Sequence, residues 1–151
     1  MQDFAAAVEA SAVATFLRQS RWTYPAVNAA HLLGIALLVG SIVPMDLRLI
    51  GVWRPDVRLD AVLRLLRPVA AFGAALAVLT GLLLFSVQAR DYVTMRLFAV
   101  KLALVAIGLA HALAWGDAIG RASPARQRGA GALSLVLWVS VLVCGRMLGY
   151  L

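Results

Sequence analysis

Residues 46–68 read DLRLIGVWRPDVRLDAVLRLLRP, a connector that carries five arginines between two long apolar stretches. These are Arg48, Arg54, Arg58, Arg64 and Arg67. Apolar runs of about 20 residues cross a bilayer as helices, and Lys and Arg collect in the loops on the cytoplasmic side. The contrast between the connector and its flanks therefore predicts a membrane protein.

The composition gives the same indication, because 63% of the 151 residues are apolar, whereas soluble domains have roughly 45–50%. The net charge of +7 would suggest nucleic acid in a soluble protein. Here the arginines flank apolar spans, where they meet anionic headgroups, so the predicted partner is the lipid bilayer and not nucleic acid. Cys144 is the only cysteine and cannot form an internal disulfide.

The hydropathy pattern predicts an all-α fold: an integral membrane four-helix bundle in residues 22–151, preceded by an N-terminal interfacial helix in residues 1–21. The predicted spans cover residues 24–45, 69–87, 97–115 and 131–148. Neighbouring spans are expected to pair through rows of small residues, which let helix backbones approach closely. The rows are Ala30 with Gly34, and Gly73 with Ala77 and Gly81.

The N-terminal arm is predicted to be helical over residues 3–18, with Asp3 as its N-cap. Its apolar stripe is weak, which favours a helix on the membrane surface or against the bundle. The arm lacks a basic n-region and a strongly apolar core. We therefore expect it to be retained and not cleaved as a signal peptide.

The distribution of Lys and Arg predicts the orientation. The connectors after spans one and three carry five and three basic residues, whereas the N-terminal arm and the turn after span two carry two each. Eight against four favours the first pair of connectors on the cytoplasmic side. We expect a multi-pass protein of the bacterial inner membrane with both termini on the periplasmic side.

Ionisable side chains inside a span are costly, so His31, Lys101, His111 and Arg146 each need an explanation. A helical rise of about 1.5 Å per residue puts His31, Lys101 and Arg146 at roughly 22, 24 and 22 Å above the cytoplasmic boundary, and His111 at only about 9 Å. Three helices thus bring basic groups to one level. We expect a periplasm-facing pocket that binds an anionic ligand or cofactor. Its supporting residues are predicted to be Tyr24, Asn28, Gln88 and Tyr150.

Two alternatives stay open for this cluster. In the first, His31 is an axial ligand of haem b, while Lys101 and Arg146 hold its propionates. Ligation by both histidines is disfavoured, because their predicted heights differ by about 13 Å. In the second, the cations snorkel or support helix assembly. The protein would then be a structural or transport-accessory subunit, with a membrane partner or as a homo-oligomer.

Asp46 is interpreted as an interfacial anchor at the inner end of span one. A proton relay from Asp46 to His111 is disfavoured, because no continuous line of titratable residues crosses a span. The sequence also contains no nucleophile–base pair, phosphate loop or paired carboxylates within a span. Hydrolytic catalysis is therefore not predicted.

Several different short motifs are spread along nearly the whole chain from Ser20 to Tyr150. They are Ser20-x-Trp22-x-Tyr24-Pro25, His31-Leu32-Leu33-Gly34, Asp46-Leu47-Arg48-Leu49-x-Gly51, Gly81-Leu82-Leu83-Leu84-Phe85, Phe98-x-x-Lys101 and Gly145-Arg146-x-x-x-Tyr150. This pattern resembles an uncharacterised family of small four-helix bacterial inner-membrane proteins. The resemblance implies a four-helix membrane domain and no particular activity. It includes His31, Lys101 and Arg146, but not His111.

Overall fold

The computed structural model describes residues 2–54 and 56–150, except for the side chain of Asp117. Within these residues the regular structure is entirely helical. The α-helices are α1 Gln2–Glu9, α2 Ala12–Gln19, α3 Thr23–Ile50, α4 Leu59–Val87, α5 Ala89–Thr94, α6 Arg96–Trp115 and α7 Pro124–Met147. Two 3₁₀ turns, Gly116–Arg121 and Leu148–Tyr150, follow α6 and α7.

Four helices are long and apolar enough to cross a membrane, namely α3, α4, α6, and α7 with the turn that follows it. They correspond to the four predicted spans and indicate a multi-pass membrane protein. Much of their apolar surface faces outward; the side chain of Leu113, for example, is 83% exposed. A helix that is apolar all round suits lipid contact better than contact with water.

Two of these helices begin earlier than predicted. Helix α4 starts at Leu59 and continues through Pro68, so most of the arginine-rich connector is helical. Helix α7 starts at Pro124, where proline suits the first turn because its missing N–H would have no partner there. Gly51, at φ 91°, ends α3 in the left-handed conformation that glycine adopts readily. Residues 51–58 alone therefore separate α3 from α4.

The N-terminal arm forms two helices and not one. The chain breaks at Ala10 and Ser11, and the Ser11 hydroxyl caps α2 by accepting from the backbone N–H of Ala14 at 3.3 Å. Asp3 lies in the first turn of α1 and is not its N-cap, so that prediction was wrong. A serine side chain that satisfies the N-terminus of a second helix competes with continuation of the first.

The arm packs against the corner where α4 meets α5. The carboxylate of Glu9 accepts from the backbone N–H of Arg90 at 2.8 Å, and Arg18 donates to the carbonyl of Val87 at 3.1 Å. Ala14 and Leu17 of α2 are buried. The N-terminal arm was predicted to lie on the membrane surface or against the bundle, and in the structure it packs against the other helices.

The long helices pack in the order α4–α3–α7–α6. The α3–α4 contact is the most extensive, and it brings backbones together at Gly34 and Gly73, as the small-residue rows predicted. A Cβ on Gly73 would lie 2.5 Å from the backbone nitrogen of Leu38. Pairing of α6 with α7 was also predicted, and the structure confirms it. Pairing of α4 with α6 was expected too, but within the described residues these helices do not pack along their length.

Helix α7 packs against α3 as well, on the surface of α3 that α4 does not cover. Gly131 allows this approach, since a Cβ there would lie 3.0 Å from the carbonyl oxygen of Asp46. Trp138 fills the space between α7 and α6, where it faces Gly108. The buried apolar core lies on the side of the two basic connectors. It comprises Leu38, Ile42, Met45, Val62, Leu63, Ala70, Ile119, Ala130 and Trp138.

Candidate functional site

His31 is held at the contact between α3 and α4. Its Nδ1 lies 3.0 Å from the Oγ1 of Thr80 on α4. Gly81 leaves room for the ring, since a Cβ on Gly81 would lie 3.1 Å from the Cε1 of His31. The close approach of the two backbones at Gly34 and Gly73 brings Thr80 within reach of the imidazole.

The hydrogen bonds around Thr80 assign the tautomer of His31. The Thr80 hydroxyl donates its one proton to the carbonyl of Leu76, at 2.5 Å. Thr80 must then accept from His31, so Nδ1 carries the proton. The carbonyl of Ala77, which can only accept, also lies near the ring. A neutral imidazole protonated at Nδ1 presents a lone pair at Nε2, assigned here from the hydrogen-bond network.

Lys101 approaches this site from the other pair of helices. Its side chain is half-buried and packs along α7, where a Cβ on Gly145 would lie 3.6 Å from Cε and 3.7 Å from Nζ. The ammonium group lies close enough to His31 to interact with it electrostatically. Within the described part of the chain, no acceptor lies within hydrogen-bonding distance of Nζ. His31 on α3 and Lys101 on α6 therefore lie within electrostatic range of each other.

Arg146 is placed differently. Its side chain is exposed, donates to the hydroxyl of Tyr150, and stacks on that ring with 4.4 Å between the guanidinium carbon and the ring centroid. Two predicted site residues therefore contact each other. The convergence of Arg146 with His31 and Lys101 on one pocket stays a prediction.

The remaining predicted site residues, Tyr24, Asn28 and Gln88, lie at the start of α3 and the end of α4. Tyr24 is 37% exposed and lies near Tyr92, whose ring packs 5.1 Å from that of Phe98. Burial is the main cause that raises the pKa of Tyr92. Asn28 and Gln88 are exposed. Their contribution to a ligand pocket, and that of Tyr24, stays a prediction.

Two polar atoms are buried without a hydrogen-bond partner among the described residues, Oδ2 of Asp46 and Nε2 of His111. Asp46 is only 5% exposed, with Ser134 of α7 beside its carboxyl, and its Oδ2 has no hydrogen-bond partner among the described residues. Its interpretation as an interfacial anchor was wrong, because α7 closes over it at Gly131. The Nε2 of His111 is likewise buried without a partner in the part of the chain described. No group of three or more His, Cys, Asp or Glu residues suited to a metal occurs there.

A cavity of about 440 Å³ opens at the start of α4, beside the turn Gly116–Arg121. Three arginines and one carboxylate line it among the described side chains. The lining comprises Asp60, Leu63, Arg64, Arg67, Pro68, Gly120 and Arg121. The sequence pattern placed these arginines near lipid headgroups on the cytoplasmic side, but it did not indicate a cavity. Their convergence depends on α4 beginning at Leu59, which the amphipathic stretch within the connector could have indicated.

No protein-family model matches the chain, and no curated protein or solved structure is significantly similar to it. The candidate sites therefore rest on the geometry of this chain.

Proposed function

We propose that the protein binds an anionic ligand or cofactor at His31 and Lys101, in the outer half of its membrane-spanning region. The proposal is carried by the hydrogen bond from Nδ1 of His31 to Thr80, which leaves Nε2 with a lone pair, and by the half-buried ammonium of Lys101 within electrostatic range of the ring. A cation within a span is costly unless it has a partner. An anion that also carries a proton donor would pair with both groups.

The proposed location is the bacterial inner membrane, with both termini on the periplasmic side. This orientation rests on the eight-to-four distribution of basic residues. A reporter active only in the cytoplasm should give signal when fused after Val57 and none when fused after Tyr150. The reverse pattern would overturn the orientation and with it the periplasmic opening of the site.

Native mass spectrometry of detergent-purified protein tests the binding proposal. Wild-type protein is expected to retain an anionic adduct, or to gain one when lactate is added as a probe, because lactate has a carboxylate for Lys101 and a hydroxyl donor for Nε2 of His31. Both His31→Ala and Lys101→Met should lose it. His111→Ala is the matched control and should keep it. Binding that is unchanged in both His31→Ala and Lys101→Met, or absent from wild type under both conditions, would contradict the proposal.

Haem b is the second candidate, favoured by one observation. Histidines that ligate metals ordinarily donate their other ring N–H to a fixed acceptor, and Thr80 supplies that acceptor for His31. His31 would hold the iron through Nε2 and Lys101 would pair with a propionate. His111 lies ten residues from Lys101 along α6, or roughly 15 Å, so it is poorly placed to be the other axial ligand. Bound haem supplies redox chemistry.

An absorption spectrum separates these two candidates. Haem ligated by His31 predicts a Soret band that His31→Ala abolishes and His111→Ala leaves. If the wild-type spectrum lacks this band after expression with haem supplied, haem is excluded and a colourless anionic ligand is the candidate that stays. If neither ligand binds, the bond from His31 to Thr80 would serve helix assembly, as expected of a structural or transport-accessory subunit.

A further inference from the structure

The arginine-lined cavity at the start of α4 has fixed walls. Arg67 donates to the carbonyl of Gly116 and so ties the turn Gly116–Arg121 to α4. Ile119 in this turn and Leu63 of α4 are 3% and 5% exposed. Both belong to the buried core. The cavity volume of about 440 Å³ falls within the roughly 300–1,000 Å³ of ligand pockets.

The charge of the cavity suits an anion. Arg64 and Arg121 are exposed and lie on opposite walls, one on α4 and the other on the turn. Asp60 is the one carboxylate among the described lining side chains, and it already accepts from Arg64 at 2.9 Å and Arg58 at 3.1 Å. A guanidinium group has five N–H donors, so Arg64 keeps donors for a second acceptor. Arginine binds phosphate oxygens in this way.

The two helices that lead away from the cavity, α4 and α6, are apolar. Helices α4 and α6 are bridged at one end by the turn Gly116–Arg121 and at the other by α5, but they do not pack along their length. Gly108 is the buried residue of α6, whose other side chains are partly or fully exposed. The space between these two apolar helices, here called the seam, therefore leads to the cluster of arginines.

We propose that this cavity binds the phosphate of an anionic phospholipid, whose acyl chains lie in the seam between α4 and α6. The cationic end matches the headgroup, and the apolar seam matches the chains. By the predicted orientation, the cavity faces the cytoplasmic leaflet. This site is separate from the one at His31 and Lys101, on other residues and at the other end of the helices.

Lipid titration followed by native mass spectrometry tests the proposal on the full chain in detergent. Phosphatidylglycerol should bind more tightly than zwitterionic phosphatidylcholine. Arg64→Gln and Arg121→Gln should each weaken phosphatidylglycerol binding about fivefold, the effect of one basic group near an anionic headgroup. Asp60→Asn should strengthen it, because the competing carboxylate is lost.

Arg54→Gln and Arg128→Gln are the matched controls, since neither arginine is hydrogen-bonded to a described residue that lines the cavity. Each removes one exposed arginine from the same two connectors, but neither residue lines the cavity. Both should change binding less than about twofold, because salt screens charges outside direct contact. Equal weakening by control and cavity variants would show a diffuse basic surface and overturn the proposal.

Glycerol 3-phosphate distinguishes a lipid from a soluble phosphate. It carries the phosphate without acyl chains, so it should not displace phosphatidylglycerol at an equal concentration. Displacement at that concentration would assign the cavity to soluble phosphate esters and overturn the lipid assignment. His31→Ala should leave phosphatidylglycerol binding unchanged, so a failure of this proposal is distinguishable from a failure at the His31 site.

Discussion

The two histidines of the chain both lie in spanning helices, but their surroundings differ. The imidazole of His31 has an acceptor at Nδ1, in Thr80 of the neighbouring helix. The Nε2 of His111 is buried with no partner among the described residues. His31 lies beside a glycine-rich helix contact, whereas the glycine one turn from His111 is covered by Trp138. A histidine alone in an apolar span therefore says little about its role until its neighbours are known.

The imidazole of His31 is therefore held in one orientation by a hydrogen bond, whereas Nε2 of His111 has no such bond among the described residues. A buried imidazole with one nitrogen fixed can present the other to a ligand. A buried nitrogen without a partner costs free energy, and no hydrogen bond fixes its direction toward a ligand. The contrast depends on the backbone contact between α3 and α4, and the substitutions below test it in order of decreasing effect.

Gly73→Ala should have the largest effect. Its Cβ would lie 2.5 Å from the backbone nitrogen of Leu38, and a backbone atom cannot move aside as a flexible side chain can. Overpacking of this kind costs about 1–3 kcal/mol, so the free energy of unfolding should fall by about 3 kcal/mol. Thermal unfolding in detergent, followed by circular dichroism, measures this.

Gly40→Ala is the control for that substitution. Gly40 lies on the same helix as Gly34, but a Cβ there would meet no atom within 4 Å. Alanine is favoured over glycine in a helix by about 1 kcal/mol, so stability should stay the same or rise. Equal destabilisation by Gly40→Ala and Gly73→Ala would contradict the close contact between α3 and α4.

Thr80→Val should have an intermediate effect. Valine keeps the shape of threonine but removes the Thr80 acceptor of the half-buried His31, and the loss of such a hydrogen bond costs about 0.5–1.5 kcal/mol. Ser86→Ala is the control, because the Ser86 hydroxyl donates only to a carbonyl of its own helix, at 2.7 Å. If Thr80→Val were no more destabilising than Ser86→Ala in the same unfolding assay, the bond from His31 to Thr80 would contribute nothing.

His111→Leu should have the smallest effect. It removes a buried nitrogen that has no partner among the described residues, and replacing such a group by an apolar one is close to neutral or stabilising. The midpoint of thermal unfolding should therefore stay the same or rise. A clear loss of stability would show that His111 has a partner of its own and would remove the contrast with His31.

Sequence patterns predicted the four spans well, because runs such as residues 69–87 can satisfy their backbone only as helices in lipid. They also predicted the contact at Gly34 and Gly73, since small residues at helical spacing mark close approach. The basic side chains of His31 and Lys101 were placed at one level by counting residues. The structure brings them within electrostatic range.

The remaining features depend on which helices become neighbours, and hydropathy does not specify this. Asp46 was expected at the membrane surface, but α7 covers it by packing on α3 at Gly131. The predicted pairing of adjacent spans missed that contact. For the same reason, the cavity at Arg64 and Arg121 was not predicted, since its walls come from segments about 57 residues apart in the sequence.

The central claim is that Thr80 fixes His31 with its proton on Nδ1 and its lone pair on Nε2. Nitrogen-15 NMR of histidine-labelled protein, at a pH where the ring is neutral, measures this directly, with His111→Leu assigning the signals. We predict a protonated Nδ1 and an unprotonated Nε2 for His31, and loss of this preference in Thr80→Val. A proton on Nε2 of wild-type His31, or a tautomer unaffected by Thr80→Val, would contradict the account.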